Sequence, residues 1–206
     1  MHSDLIPVIA SQENPALRAM FEARKRVFVD LLKWDVPVLA DRYEIDQFDT
    51  DEAEYLVLVD DLAAHRASTR LLRTEGPHIL ADLYPFLCEG PVPHGPTTRE
   101  ITRFCIEPTL ATRDRRQARN QLVTALVEHA LRSGITDYTG VAGLSWFKQI
   151  EAFGWDCRAL GQPRQVGGDL LVGLHIRIDA RTPEDLSRTG INSLLTCRLP
   201  AKGGLQ

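Results

Sequence analysis

The stretch Arg99-Glu100-Ile101-Thr102-Arg103-Phe104-Cys105-Ile106-Glu107, just after the midpoint of the chain, decides the fold that we expect. Outside its charged members it is apolar and rich in β-forming residues, and Gly95-Pro96 and Pro108 bound it, which predicts a central β-strand. Alternation predicts one face with Ile101, Arg103 and Cys105 and another with Glu100, Thr102 and Phe104. A buried carboxylate and guanidinium are costly unless they pair or meet a charged ligand. The stretch therefore indicates a functional site; the simpler alternative is an edge strand with two solvated charges.

Length, charge and cysteine usage limit the class of protein. The chain has 206 residues and a formal net charge of −4, which predicts one domain over residues 1–180, then a short C-terminal helix and tail over residues 181–206. The negative charge argues against nucleic acid as a partner. No apolar segment approaches the roughly 20 residues that span a bilayer, and no signal peptide is recognisable, so we expect a cytoplasmic protein without a membrane span. Scattered cysteines and histidines without ligand spacing predict no metal site and no disulfide framework.

An amphipathic helix is predicted upstream of the central strand. Asn14-Pro15 is a helix cap followed by proline at the first helical position, and apolar residues then recur at helical spacing as far as Leu32. Arg24 interrupts this apolar stripe one turn before Phe28. Its simplest interpretation is an arginine that snorkels at the rim of the core. A short strand is predicted before the helix, over residues 5–9.

An acidic loop follows the helix, with six carboxylates between residues 44 and 54. Such a run is usually a solvated loop. A calcium loop is excluded because the glycine that its sharp turn requires is missing. Phe48 within the run and Trp34 just before it suggest instead a lid with aromatic walls and a negative floor, which suits an organic cation.

The rest of the chain alternates predicted strands and helices. Strands are expected over residues 55–60, 67–74 and 135–141, and as a final hairpin over residues 157–160 and 169–178. A long excursion covers residues 75–98. Helices are expected over residues 120–132, ended by Gly134, over residues 144–153, and from Thr182 onward. The pattern predicts an α/β fold with a mixed central sheet and helices on both faces.

Several separated motifs, taken in order, resemble the signature of the LuxI-type acyl-homoserine-lactone synthases. They are Arg24, Phe28 and Trp34, then Glu44-Ile-Asp46-Gln-Phe-Asp49, then Arg70-Leu-Leu, then Glu100-Ile-Thr-Arg103-Phe104. The resemblance runs from about residue 15 to residue 178. It implies a GCN5-related N-acetyltransferase-like three-layer fold. It also implies S-adenosylmethionine as acyl acceptor and an acyl thioester of acyl-carrier protein or coenzyme A as donor, both as substrates, with no cofactor. The amine is acylated, and the substrate's carboxylate then closes the lactone and expels methylthioadenosine.

The chemistry of the quoted residues fits these substrates. Attack on a thioester needs a neutral amine, and Glu100 is the candidate base because desolvation within a sheet would raise its pKa toward neutrality. Arg103 is the second catalytic candidate. Contacts to S-adenosylmethionine are predicted for Arg24, Phe28, Trp34, Asp46, Asp49 and Phe104. Glu44 and Arg70 are expected to support the site, Arg70 by ion pairing with the acidic loop. The alternative is that Glu100 and Arg103 form only a structural ion pair.

The donor is expected to lie at the turn after the central strand, where the resembled family binds the phosphopantetheine arm. A basic run there predicts docking of the carrier or of the pantetheine arm: Arg113, Arg115, Arg116 and Arg119. The acyl pocket is predicted further along, at Tyr138, Val141, Ala142, Gly143 and Trp146. Two other functions stay open, an N-acyltransferase that acts on another amine without lactone formation and an inactive paralogue that only binds these ligands.

Overall fold

The computed structural model describes residues 14–192, so the strand predicted over residues 5–9 and the tail from residue 193 lie outside the described part. The helices are α1 (Pro15–Arg24), α2 (Ile79–Asp82), α3 (Thr112–Ser133), α4 (Leu144–Glu151) and α5 (Thr182–Arg188). A π-helical segment (Lys25–Leu31) and a 3-10 turn (Pro85–Leu87) complete the helical parts. The strands are β1 (Val38–Leu39), β2 (Tyr43–Glu44), β3 (Glu54–Val59), β4 (His65–Arg73), β5 (Thr98–Ile106), β6 (Asp137–Gly143), β7 (Asp156–Ala159), β8 (Arg164–Val166) and β9 (Asp169–Arg177).

One mixed sheet of seven strands carries helices on both faces. The strand order is β3-β4-β5-β6-β9-β7, with β8 also paired to β9, and only β5 and β6 run parallel. Helices α3, α4 and α5 bury their apolar residues on one face, in the main core. Helix α1 covers the other face through two smaller clusters, and α2 lies beside it against β5 and β6. The three-layer α/β architecture predicted from the sequence is therefore confirmed.

The first helix changes character halfway along. The Asn14 side chain accepts hydrogen bonds from the Ala16 and Leu17 amides at 3.1 and 3.3 Å, as its capping role predicts. After Arg24 the hydrogen bonding becomes π-helical, and the Leu32 N–H donates to the Val27 carbonyl five residues back. The prediction of one continuous amphipathic α-helix to Leu32 is wrong in its second half. Short π-helical segments of this kind occur frequently at functional sites.

A β-bulge in β5 changes the predicted faces of the central strand. Ser68 of β4 pairs with Cys105 and Arg70 pairs with Thr102, so β5 contains one residue more than β4 across this interval. Arg103 sits in the bulge with φ of +50°. Beyond the bulge the alternation is shifted by one residue, because the extra residue has no opposite partner.

The side chains after the bulge show this shift directly. Cys105 packs against α1 and the π-helical segment, whereas Phe104 and Ile106 join Ile101 against the main core. The prediction that Cys105 shares a face with Ile101, and Phe104 a face with Glu100, is therefore wrong. The physical reason is the bulge at Arg103.

Strands β5 and β6 pair over only part of their length. Their parallel register joins Thr98–Ile101 to the segment from Asp137 to Gly140, and both strands then continue, to Ile106 and Gly143. Within residues 14–192 no pairing links them beyond Ile101 and Gly140. A cleft therefore opens inside the sheet next to the bulge.

Several element boundaries differ from the predicted ones. Helix α3 begins at Thr112, eight residues before the predicted start, because the arginine, glutamine and alanine residues of this run are good helix formers. Gly134 ends it with φ of +69°, as predicted. Strand β6 covers Asp137–Gly143, two residues later than predicted, and α4 ends at Glu151. Strand β8 was not predicted.

The last helix belongs to the main core. Leu186 of α5 and Ile191 after it are both buried there, so residue 180 is not an edge of the packed core. None of the helices within residues 14–192 combines the length and apolar character needed to cross a bilayer.

Gly140 allows the close approach of β6 to β5 at the last paired position. A Cβ atom at Gly140 would lie 2.9 Å from the Ile101 carbonyl oxygen, whereas a Cβ atom at Gly143 would meet nothing within 4 Å. We predict that Gly140→Ala lowers the free energy of unfolding by about 1–3 kcal/mol, because the backbone must move. Gly143→Ala is the matched control and should leave it unchanged or slightly raised. Urea denaturation measures both; equal stability of the two variants would contradict the prediction.

Candidate active site

Three arginines and three carboxylates form a buried ion network where α1, β2, β4 and the β5 bulge meet. Its members are Arg24, Arg70 and Arg103 with Glu44, Asp46 and Asp49. No member side chain is more than 8% exposed, and their formal charges cancel. The network joins the acidic loop to the central strand.

Arg24 and Asp49 form the innermost part of this network. The two terminal nitrogens of Arg24 each donate to one Asp49 oxygen at 2.8 Å, and its Nε donates to Glu44. Asp49 also lies 2.8 Å from an Arg70 nitrogen and accepts the Tyr55 hydroxyl at 2.8 Å. Burial alone would raise the pKa of Asp49, but Arg24 and Arg70 hold it well below its usual range. The interpretation of Arg24 as a snorkelling arginine is wrong, because its side chain is 1% exposed.

Arg103 and Arg70 complete the network near its outer edge. Arg103 donates to Glu44 at 2.9 Å and to Asp46 at 2.6 Å. Arg70 donates to both Asp46 oxygens, at 2.6 and 3.1 Å, and its Nε donates to the Thr102 hydroxyl at 2.9 Å. The ion pairing predicted between Arg70 and the acidic loop is therefore present.

An aromatic wall stands beside Arg103. The Phe28 and Trp34 rings stack at 4.8 Å with an interplanar angle of 23°. The Arg103 guanidinium lies 5.5 Å from the Phe28 ring centre and 5.8 Å from that of Trp34. Phe28 is buried, whereas Trp34 is 43% exposed. The wall therefore reaches solvent at Trp34, where a ligand with a planar or cationic group could stack.

Glu100 is buried completely on the same sheet face. Its carboxylate accepts the Ile79 and Leu80 amides, at 2.7 and 2.8 Å, where α2 begins. Burial raises the pKa of Glu100 to about 7, although these hydrogen bonds act in the opposite direction. Arg103 contacts Glu44 and Asp46 instead, so the alternative of a Glu100–Arg103 ion pair is wrong.

Sequence reasoning missed two sets of partners. The Ile79 and Leu80 groups that hold Glu100 are backbone amides, which carry no side-chain signature; the only signal was Pro77 followed by a short apolar run. Tyr55, which donates to Asp49, could have been found as the one hydroxyl-bearing residue in an apolar strand.

Phe104, predicted to contact S-adenosylmethionine together with Phe28 and Trp34, does not lie beside these two residues. Phe104 lies on the main-core face of the sheet with its ring 5.4 Å from that of Trp146. The bulge turns it away from Phe28 and Trp34 and places it beside the residues predicted for the acyl pocket.

The five predicted acyl-pocket residues do not form one group. Ala142 and Trp146 pack at the main core, next to Gly143 at the start of α4. Tyr138 is fully buried and its hydroxyl donates to the Leu126 carbonyl at 2.9 Å, so it is a core residue. Val141 pairs directly with Gly173, and a Cβ atom at Gly173 would point toward Leu87. Because directly paired residues share a sheet face, Val141 lies on the face opposite to the main core.

The predicted donor-docking arginines lie in the first two turns of α3. Arg113, Arg115 and Arg116 are exposed. Arg119 is half-buried, with its guanidinium 5.0 Å from the Phe153 ring centre. The run is therefore an exposed helical surface with one inward-facing member.

The described residues, 14–192, bring together no group of histidine, cysteine and acidic side chains suited to a metal ion. The three clustered acids are already matched by three arginines. The site consists of a closed ion network, an aromatic wall and a buried carboxyl beside a cleft.

A mixed sheet that opens at a bulge, with helices on both faces, is the architecture of the acyltransferases related to N-acetyltransferases. A solved putative N-acetyltransferase from Lactobacillus plantarum shares the fold, with a TM-score of 0.56 and 22% identity over 82% of this chain and 94% of its own. The family description for autoinducer synthases matches residues 9–186. The chain belongs to this autoinducer synthase family and is an acyltransferase.

Two relatives show how similar this chain is to acyl-homoserine-lactone synthases in sequence and in fold. An acyl-homoserine-lactone synthase from Rhizobium etli is 34% identical over 167 residues, which cover 79% of this chain and 77% of the relative. The solved structure of TofI, in a ternary complex with an inhibitor and MTA, is 27% identical with a TM-score of 0.72, over 84% of this chain and 91% of TofI. The family predicted from the separated motifs is confirmed.

The ion network should make the free energy of unfolding depend on pH. We predict that Asp49→Asn lowers the free energy of unfolding at pH 7 by about 3 kcal/mol or more, because two buried arginines lose their partner. The folded pKa of Asp49 lies below its unfolded value, so this contribution is present above pH of about 4 and is lost as pH falls further. The difference between the unmutated protein and the variant should therefore stay constant from pH 7 to about pH 5 and shrink as the pH falls below about 4.

Asp51→Asn is the control, because Asp51 is exposed in the same loop and should change stability by less than about 0.5 kcal/mol. Denaturant titrations at several pH values measure both variants. A pH-independent loss in Asp49→Asn would show that the carboxylate's charge is unimportant.

Proposed function

We propose that this chain makes an N-acyl-L-homoserine lactone, a quorum-sensing signal, from S-adenosyl-L-methionine and an acyl thioester, releasing methylthioadenosine. The observation that carries the proposal is the position of Glu100. Its buried carboxyl, with a pKa raised to about 7, lies on the strand that bulges at Arg103 and opens the cleft to β6. A base and an entry for a thioester therefore occur together. We place the reaction in the cytoplasm, where both substrates are made.

The acceptor fits the side of the site that carries the aromatic wall. Arg24 is engaged by Glu44 and Asp49 through all three of its guanidinium nitrogens. Arg103 donates to the network through Nε and one terminal nitrogen, and its other terminal nitrogen can meet the substrate's carboxylate. Trp34 is open to the adenine or the sulfonium. Asp46, also at the edge of the network, suits the ammonium, whereas Asp49, saturated by its partners, holds Arg24 and Arg70 in place.

Glu100 starts the reaction by taking a proton from the ammonium, directly or through a water. The neutral amine then attacks the thioester carbon, the C–N bond forms, and the C–S bond breaks as the thiol leaves with a proton. In the second step a carboxylate oxygen of the acylated substrate attacks the carbon bonded to the sulfonium. That C–S bond breaks, the lactone ring closes, and the sulfur leaves as neutral methylthioadenosine.

The donor fits the cleft between β5 and β6. Phe104, Ala142 and Trp146 provide its apolar wall on the main-core side. The arginines at the start of α3 lie beyond the turn that follows β5 and give positive charge for the phosphates of coenzyme A or the acids of a carrier protein.

Product stoichiometry tests the proposal against the alternative acyltransferase. The purified protein, given S-adenosylmethionine and acyl thioesters of both donor classes, should release methylthioadenosine and free thiol in equal amounts. Thiol is measured with a chromogenic reagent and methylthioadenosine by chromatography. Thiol release without methylthioadenosine, for every donor, would indicate acylation of another amine without lactone formation. Binding without either product would indicate the inactive paralogue.

Glu100→Gln tests the base. The variant cannot accept the ammonium proton and should lower turnover by about a hundredfold or more, with S-adenosylmethionine binding changed only a few-fold. In the unmutated enzyme activity should rise with pH and level off above about pH 7, because only the ionised carboxylate is a base. This inflection should be absent from the residual activity of the variant.

Glu75→Gln, at an exposed glutamate, is the matched control and should retain the normal rate and pH profile. Unfolding curves separate loss of the base from loss of fold, since the glutamine amide also meets the Ile79 and Leu80 amides. A variant with the fold intact and near-normal turnover would show that Glu100 only anchors α2.

A further inference from the structure

A pocket away from the candidate active site lies where α3, the end of α4 and the chain after α5 meet. It has a volume of about 170 Å³, and its lining includes Arg116, Arg119, Asn120, Gln149 and Phe153. None of these residues belongs to the ion network or the aromatic wall. The pocket is therefore separate from the acceptor site.

The charge of this pocket is positive and unneutralised. Among the residues of the described part of the chain, none that lines the pocket is acidic. Arg119 donates through Nε and one terminal nitrogen to the neutral Asn120 Oδ1, at 3.1 and 2.8 Å. Within residues 14–192 no carboxylate pairs with Arg116 or Arg119. The arginines of the ion network are each matched by acids, so these two are available to an anion.

Arg119 is also fixed in position. Its guanidinium lies 5.0 Å from the Phe153 ring centre, and Asn120 holds one edge of its plane. Desolvation and the nearby charge of Arg116 lower the pKa of Arg119, so an anion bound between the two guanidiniums would relieve their repulsion. A planar guanidinium held in one orientation is suited to two-point binding of a phosphate.

A line of aromatic rings joins the pocket to the cleft. Phe104 lies 5.4 Å from Trp146, Trp146 lies 5.9 Å from Phe153, and Phe153 carries Arg119. These core rings place the pocket on the same side of the sheet as Phe104 and a few ring contacts from it. A donor whose thioester lies beside Phe104 can therefore reach the pocket with its far end.

We propose that this pocket binds the 3′-phosphate at the nucleotide end of coenzyme A, so that the acyl donor of this enzyme is acyl-coenzyme A. The inference rests on the proposed function and decides its open donor class. A carrier protein would present acidic side chains, which meet the exposed Arg113 and Arg115, and its pantetheine ends in a phosphodiester to the protein. Only coenzyme A continues beyond the pantetheine into a nucleotide that bears a compact terminal phosphate, which a pocket lined by two arginines can bind.

The first experiment measures the nucleotide end alone. Adenosine 3′,5′-bisphosphate is titrated by calorimetry into the purified protein, into Arg116→Gln and Arg119→Gln, and into the control Arg132→Gln, an exposed arginine at the far end of the same helix. We expect binding by the unmutated protein and the control, and at least tenfold weaker binding by both pocket variants. Arg116→Gln keeps the test valid if Arg119→Gln loses its stacking on Phe153 and unfolds.

The second experiment removes the phosphate from the donor. The KM for the best acyl-coenzyme A of a butanoyl to dodecanoyl series is compared with that for the same acyl-dephospho-coenzyme A, which lacks the 3′-phosphate. In the unmutated enzyme the dephospho donor should have a KM at least tenfold higher. In Arg116→Gln the two donors should have nearly equal KM values, while the KM for S-adenosylmethionine stays unchanged.

Two outcomes would overturn the inference. One is no measurable binding of the bisphosphate together with equal KM values for the two donors in the unmutated enzyme. The other is efficient turnover with acyl-carrier protein and none with acyl-coenzyme A. Neither outcome affects the proposed function, which fails only if no donor of either class yields methylthioadenosine.

Discussion

Six buried charges that must remain paired are the constraint on which the rest of the site depends. Each guanidinium or carboxylate alone would be strongly unfavourable away from water, and together they form a neutral group. The apolar clusters beneath α1 and the π-helical segment are small, whereas the main core joins α3, α4 and α5 to the sheet. The layer that carries the aromatic wall, the proposed acceptor site, is therefore held to the sheet largely by ion pairs. The layer that carries the proposed donor site is held by apolar packing. Layers with fewer apolar contacts open at lower free energy, which suits a wall that would admit the large acceptor of the proposed function.

The pKa values of two buried carboxyls on this sheet face are shifted in opposite directions, because their hydrogen-bond partners differ in charge. Asp49 has two guanidinium partners, which lower its pKa despite its burial. Glu100 has two neutral amides as its direct partners, which do not compensate for desolvation, and its pKa rises toward neutrality. The same sheet face can therefore hold one acid as a permanent anion and another as a group that exchanges its proton near pH 7.

Local pattern predicted those features that depend on neighbouring residues. The central strand, the Asn14 cap, the end of α3 at Gly134 and the alternation of strands and helices follow from propensity and capping. The bulge could not be predicted, because Arg103 adopts its strained conformation beside Glu44 and Asp46, which are distant in sequence. The hydrogen-bond partners of Glu100 could not be predicted, because every residue except proline has a backbone amide and the sequence does not mark which ones bind a side chain. Resemblance to a family predicted which residues belong to the candidate site. Only the structure showed that these residues are divided between the two faces of the sheet.

The bulge in β5 also limits how the gene can change in length. A single residue lost at position 103 or 104 would give β4 and β5 the same number of residues between their paired positions and a more regular ladder. Loss of residue 103 would remove a guanidinium from the ion network, and loss of residue 104 would turn Arg103 toward the main core. Cys105 and Ile106 would keep their faces in both cases, because the bulge already absorbs the extra residue. Loops on this chain can lengthen or shorten without such an effect. Evolution of this sequence can therefore substitute many residues in β5, but a deletion at the bulge disrupts the ion network.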